Sequence, residues 1–258
     1  MSSGNGTKGV KSNPWVGDLK PNPGAKLRLF CFPYAGGTSR VFRDWAAALD
    51  GWVEVCTIQL PGRGSRLPEP SFMSLPTLVS ALAASIVPEL DKPFAFFGHS
   101  MGALVGFELA RLLRREYGLM PLHLLVSGRR APQLPLRDPV IYNLPEPEFL
   151  REISRLNGTP KEVMEHPELM QLMLPILRAD FTVCETYDYV PEPPLGCPIS
   201  AFGGLQDHRV TRQDLEAWGE HTTSSFSLRL LPGDHFFLNT ARPLLLQAVG
   251  RELLRHLT

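Results

Sequence analysis

Strand and helix signals alternate along most of this chain, which predicts an α/β protein on a mostly parallel sheet flanked by helices. Two further observations narrow the fold class. A serine stands in Gly98-His99-Ser100-Met101-Gly102, between an apolar run and a helical pattern. The alternation also breaks once, over residues 131–198, which hold 12 of the 25 prolines and two helical patterns but no convincing strand.

The elements follow in order. A strand is expected at 27–32, then a loop and a short helix near 41–49. The strand at 53–60 is ended by Pro61-Gly62, a turn pair that stops a ladder. Ser74 suits the N-cap of a helix running to about residue 90, whose Leu75, Leu78, Val79, Leu82 and Ile86 recur at helical spacing. Phe94-Ala95-Phe96-Phe97 is an unbroken apolar run, the composition of a strand buried on both faces. The pattern over 101–115 is a helix with Leu104, Val105, Leu109, Leu112 and Leu113 on one broad face. A strand at 122–127 precedes the break. Within 131–198, helices are expected at 146–156 and 167–187. Inserted between two strands, they suit a helical lid over the catalytic end of the sheet; a rigid subdomain that only packs is the alternative. The rhythm resumes with a strand at 199–203, a helix at 211–218, a strand at 226–231 and a closing helix at 242–257.

Composition excludes several classes. A chain of 258 residues, 43% hydrophobic and 20% charged, describes a globular protein with a sizeable core, here one domain over 26–258 with its insertion. Lys+Arg and Asp+Glu are equal at 26 each, so no basic bias points to nucleic acid. No apolar run approaches a membrane span. Residues 1–24 are rich in Ser, Gly, Asn, Lys and Pro without an apolar h-region, which is unlike a secretory signal; a disordered extension over 1–25 is expected. Cys31, Cys56, Cys184 and Cys197 form no C-x-x-C pair and suit free thiols in a cytoplasmic protein. The seven histidines show no metal-ligand spacing, so neither a metal nor another cofactor is expected.

The serine carries the chemistry. G-x-S-x-G is the nucleophile elbow of α/β-hydrolases, a strand-to-helix turn so tight that a Cβ at either glycine would strike neighbouring backbone. A serine hydroxyl needs a base to take its proton as it attacks. In that fold the partners follow in the order Ser, acid, His, each on a loop at the C-terminal edge of the sheet. Asp207 follows the strand at 199–203 and His235 follows the strand at 226–231. Rivals are less well placed. His99 precedes the serine and would point away from it, His123 lies beside a strand, His166 is in the insertion and His256 is on the last helix. His208, next to Asp207, breaks the order. Among acids, Asp234 suits a turn, while Asp180 and Asp188 lie in the insertion. For the oxyanion hole, the Met101 N–H is one donor. The second comes from Phe32-Pro33-Tyr34-Ala35-Gly36-Gly37, with Ala35 preferred and Tyr34 as fallback. A phosphate cradle there would need G-x-x-x-x-G-K-[ST], which is absent. Arg63 and Arg66, on the Gly-rich loop 60–66, suit either an anionic substrate or carrier, or plain solvation.

Together, Cys31-Phe32-Pro33-Tyr34-Ala35-Gly36-Gly37, Leu60-Pro61-Gly62-Arg63-Gly64, Gly98-His99-Ser100-Met101-Gly102-Ala103 and Gly233-Asp234-His235-Phe236-Phe237 resemble type II thioesterases, over about residues 26–257. These are the free-standing editing enzymes of polyketide and non-ribosomal peptide assembly lines. The resemblance implies hydrolysis of acyl groups from the phosphopantetheine arm of acyl or peptidyl carrier proteins, by a cytoplasmic monomer. A small-molecule carboxylesterase of the same fold, or a non-catalytic relative, are the alternatives.

Overall fold

In the computed structural model, which describes residues 13–17, 22–49, 51–156, 158 and 166–257, one sheet organises the chain. Its strands are β1 (Val16–Gly17), β2 (Leu27–Phe32), β3 (Val53–Ile58), β4 (Phe94–His99), β5 (Leu124–Ser127), β6 (Ile199–Gly204) and β7 (Phe226–Leu231). They lie in the order β1-β3-β2-β4-β5-β6-β7, all parallel except β1, which pairs antiparallel with β3. The order reverses between β2 and β4: the chain leaves β2 outward to β3 but runs from β4 to β7 in the other direction. Loops after β2 and β4 therefore part, and a crevice opens at the carboxyl ends of these strands.

The period-2 pleat splits the apolar runs between two cores. Phe30, Phe32, Phe94 and Phe96 face one side, with Leu78 and Leu82 of α2 (Leu75–Ile86) and Leu104 and Leu109 of α3 (Met101–Leu112). Leu29, Cys31, Ala95 and Phe97 face the other, against Trp45 and the closing helix residues Leu245 and Val249. Every residue of β4 is buried, which accounts for its unbroken apolar sequence.

Several boundaries differ from expectation. The helix at 41–49 is a 3₁₀ turn, Ser39–Phe42, followed by one turn, α1 (Trp45–Ala48); Phe42 and Trp45 sink into the core there. Ser74 has extended backbone but makes no capping bond with its side chain, and Pro76 occupies the first turn of α2, where its missing N–H costs nothing. After α2 the chain tightens into a 3₁₀ turn at Val87–Glu89, since Pro88 cannot continue the α-helical ladder. The helix after the elbow runs on from α3 into a π-helical turn, Leu113–Tyr117, closed by Gly118 in the left-handed region.

The insertion contains α4 (Glu146–Arg155) and α5 (Pro167–Glu185), as the sequence predicts, and these share an apolar cluster of Phe149, Ile153, Met170 and Leu177. Beyond it come α6 (Arg212–Glu216), α7 (Phe237–Thr240) and α8 (Arg242–Leu254). The predicted disordered extension meets described residues at 13–17 and 22–25, and there it is structured; residues 1–12 and 18–21 lie outside the described residues. Trp15 is buried, its ring 6.0 Å from Phe72 and covered by the Arg66 guanidinium at 4.2 Å. Its carbonyl accepts the Gln59 N–H at 2.9 Å, which extends the β1 pairing. The aromatic side chain finds a hydrophobic seat that composition alone does not reveal.

Candidate active site

Ser100 is the non-glycine residue with positive φ among the described residues (φ 54, ψ −113), a conformation that stores roughly 1–3 kcal/mol. Its surroundings hold it there. The Ser100 N–H donates to the Ser127 carbonyl of β5 at 2.8 Å, and α3 begins at the next residue. A Cβ on Gly98 would overlap the Gly102 carbonyl, and one on Gly102 would overlap the Phe32 carbonyl at the end of β2. Both glycines of the motif are thus required by close backbone approach.

Asp207 follows β6 and His235 follows β7, and His235 Nδ1 lies 2.8 Å from Asp207 Oδ2. The other carboxylate oxygen, Oδ1, accepts the backbone N–H groups of Arg209 (2.9 Å) and Val210 (3.2 Å). Burial opposes ionisation of Asp207, but the His235 hydrogen bond and charge and the two N–H donors outweigh it, and its pKa lies below the ordinary 3.8. The Nδ1–H directed at the Asp207 carboxylate sets the imidazole tautomer in which Nε2 carries the lone pair. Ser100 and His235 line one cleft of about 910 Å³, open to solvent at its mouth. Tyr34 and Ala35 line it too, on the loop after β2, and Met101 opens α3 beside it.

The rival residues fall elsewhere. His99 is fully buried beneath the His235 ring, with centroids 5.3 Å apart, and its Nδ1 meets Ser127 Oγ at 2.9 Å. Burial first, and the neighbouring His235 second, hold His99 well below 6.5, so it stays neutral. His123 pairs with His256 at 3.0 Å at the amino end of β5, the opposite edge of the sheet. His166 is exposed at the start of α5, and His208 is exposed outside the cleft lining. Asp234 accepts the Phe236 N–H at 2.8 Å, a local turn contact as expected.

Arg63 and Arg66 depart from the solvent-facing reading. Arg63 is buried and forks onto Asp180 of α5, with Nη1 to Oδ2 at 2.5 Å and Nη2 to Oδ1 at 2.7 Å. Arg66 is buried and forks onto Glu69 at 2.8 and 2.5 Å while covering Trp15. Both are committed to structure, and neither faces an incoming ligand. The pairing of Arg63 with a residue more than a hundred positions away has no local sequence signal.

The sequence did not single out the walls of the cleft. Leu136, Ile153, Leu156, Leu177, Phe181 and Phe236 supply an apolar face. Glu185, also at the cleft, is occupied by the Ile141 and Tyr142 N–H groups at 2.9 and 2.8 Å. The four cysteines are free, and the described residues hold no group of three or more His, Cys, Asp or Glu fit for a metal. No helix among them is long and apolar enough to cross a membrane.

A parallel sheet with a serine elbow after one strand, and an aspartate and a histidine after two later ones, defines an α/β-hydrolase. Residues 27–253 match the thioesterase domain family, and the chain belongs to that family of hydrolases acting on thioesters. A similar relative, the linear gramicidin dehydrogenase LgrE of Brevibacillus parabrevis, is 47% identical over 96% of this chain and 95% of its own length. The thioesterase RedJ from the prodiginine biosynthetic pathway of Streptomyces coelicolor has a TM-score of 0.84 at 43% identity, covering 88% of this chain and 91% of RedJ. The type II thioesterase BorB from the borrelidin biosynthetic cluster has a TM-score of 0.85 at 36% identity, covering 94% and 98%.

Proposed function

We propose that this thioesterase edits a polyketide or non-ribosomal peptide assembly line, hydrolysing stalled or aberrant acyl groups from the phosphopantetheine arm of its carrier proteins. The observation that carries the reading is the meeting of the strained Ser100 turn and the Asp207-oriented His235 in one cleft with an apolar wall. Ser100 Oγ attacks the thioester carbonyl and its proton passes to His235 Nε2. The N–H groups of Met101 and Ala35 stabilise the oxyanion, and Asp207 stabilises the imidazolium. Collapse breaks the C–S bond, and the leaving thiolate takes the proton from His235. His235 then deprotonates a water that attacks the acyl-serine, which returns the acid and free Ser100. The acyl chain lies against Ile153, Leu156, Leu177 and Phe181. No step requires a metal or other cofactor, and the protein works as a cytoplasmic monomer.

RedJ and BorB, named for prodiginine and borrelidin biosynthesis, support the assembly-line setting. The name of LgrE records a dehydrogenase. For this chain the family match and the Ser100–His235–Asp207 arrangement favour hydrolysis over hydride transfer. The test compares acetyl- or propionyl-carrier protein with the same acyl group on N-acetylcysteamine. Contacts with carrier and pantetheine remote from the carbonyl raise kcat/KM, so the carrier-bound substrate is expected to be preferred. Equal kcat/KM on both would leave a generic acyl hydrolase, and faster turnover of a simple aryl ester would favour the carboxylesterase reading.

A further inference from the structure

The loop that follows β2 makes a tight turn whose geometry is set from the insertion. The Gly37 N–H donates to the Tyr34 carbonyl at 2.8 Å, and Gly36, third in the turn, has φ 76. A glycine in the left-handed region at that position marks a type II turn, in which the central Ala35–Gly36 peptide must face a particular way. The Gly36 N–H of that peptide donates to Asp180 Oδ2 of α5 at 2.7 Å. The same oxygen receives Arg63 Nη1 and the partner oxygen receives Nη2, while Arg63 Nη1 also lies 3.5 Å from the Gly37 carbonyl. Arg63 and Asp180 are both about 3% exposed, so in this dry setting the pair holds its geometry. Leu177, one turn earlier on α5, closes the other side: a Cβ on Gly36 would lie 2.7 Å from its Cδ2.

We propose that Asp180 is a positioning residue for the oxyanion hole: by holding the Gly36 N–H it fixes the Tyr34–Gly37 turn, and with it the adjoining Tyr34–Ala35 peptide, so that the Ala35 N–H points at the reacting carbonyl oxygen. The inference rests on the assignment of Ala35 as a donor made above. It gives α5 a second task besides covering the cleft, because the element that walls the acyl chain also fixes a catalytic dipole. The Arg63 of the Leu60-Pro61-Gly62-Arg63-Gly64 segment then serves to orient Asp180 through its two hydrogen bonds. A peptide misplaced by about an ångström in such a site slows turnover by roughly 100-fold without changing the rest of the binding surface.

Removing one partner alone would leave a buried charge, so the test uses paired substitutions. Arg63→Met with Asp180→Asn removes both charges but keeps an amide oxygen to accept the Gly36 N–H. Arg63→Met with Asp180→Leu removes the charges and the acceptor together. With acyl-carrier protein as substrate, the asparagine pair is expected within about fivefold of wild-type kcat, because the acceptor of the Gly36 N–H is retained. The leucine pair is expected to lose roughly 10- to 100-fold in kcat with KM nearly unchanged. Affinity for a trifluoromethyl ketone transition-state analogue should fall by the same factor as kcat. Wild-type kcat in a folded leucine pair, or an equal loss in both pairs, would overturn the proposal. If the leucine pair does not fold, amide hydrogen exchange on the wild-type enzyme decides. Gly36 should exchange as slowly as strand amides, and exchange at the rate of an open loop would overturn it. Ser100-dependent thioester hydrolysis by the wild-type enzyme is measured alongside. Its absence would refute the nucleophile assignment, whereas its presence with an unaffected leucine pair refutes only the role of Asp180.

Discussion

At the scale of single residues, the catalytic geometry depends on backbone contacts more than on side-chain packing. Ser100 is held with positive φ by the Ser127 carbonyl and by two glycines with no room for a Cβ. Its hydroxyl is absent from these restraints, so Ser100→Ala is expected to leave the melting temperature almost unchanged while kcat falls by about 10⁴- to 10⁶-fold. His235→Ala should be comparably severe and Asp207→Asn somewhat less so, at roughly 10⁴-fold, since the imidazole would lose its orienting partner. Steady-state kinetics on one acyl-carrier substrate check all three, and retention of activity within tenfold in Ser100→Ala would move the nucleophile elsewhere. The pair of motif glycines and the order Ser, Asp, His were readable in the sequence because they are demands of a local turn and of chain direction. Asp180 was not: the Gly36 and Arg63 donors it accepts from lie on loops distant in the chain, and nothing in its neighbours marks it.

At the scale of elements, the insertion divides into two parts of different attachment. α5 is bolted to the loops around the site by Asp180 and to the turn before α4 by Arg178, whose Nη1 donates to the Tyr142 and Leu144 carbonyls at 2.6 and 2.8 Å. Its Val183 enters the main core. α4 buries only Phe149 and Ile153, both within the insertion's own small cluster. Opening costs less free energy where fewer apolar contacts are lost. Access to Ser100 is therefore expected to be controlled by α4, with residues 177–183 of α5 remaining in place. Hydrogen exchange followed by mass spectrometry should show amides of 149–155 opening much faster than those of 94–99, with 177–183 close to the strand. Equal, full protection of α4 and β4 would favour a rigid subdomain over a gate.

Across the whole molecule, buried neutral histidines make the fold acid-sensitive. His99 is held well below 6.5, His123 is pushed down to about 3 and His221 to about 4, each mainly by burial. In the unfolded chain these imidazoles take up protons near their ordinary value, while in the folded chain they do not. The unfolded state therefore binds more protons as the pH falls below about 6.5, and stability falls with it. By about pH 5 each of the three should cost on the order of 2 kcal/mol relative to neutral pH. Asp207 acts with the same sign in a lower window: its depressed pKa contributes stability that is complete above 3.8 and is lost as the pH falls through the folded value. Thermal melts from about pH 7.5 to 5 should therefore show a steadily falling midpoint. A midpoint constant to within a degree or two over that range would contradict the neutral burial of these histidines.

The parallel sheet, the elbow turn, the two inserted helices and the placing of Asp207 and His235 just past β6 and β7 were all legible in the chain. Each of these is written in patterns of a few to about twenty residues: apolar runs, helical spacing, glycines at a turn and a polar residue just past a strand. The ends of helices were less legible, because Pro88 and the π-helical turn at 113–117 alter the last turn without interrupting its apolar spacing. The burial of Trp15, the inward course of Arg63 and Arg66, and the reach of α5 to the turn holding Ala35 emerged from the folded chain alone. The reason is physical. A charged or aromatic residue in a polar segment carries no local mark of burial, since its seat is made by partners such as Asp180 and Phe72 that only folding brings to it.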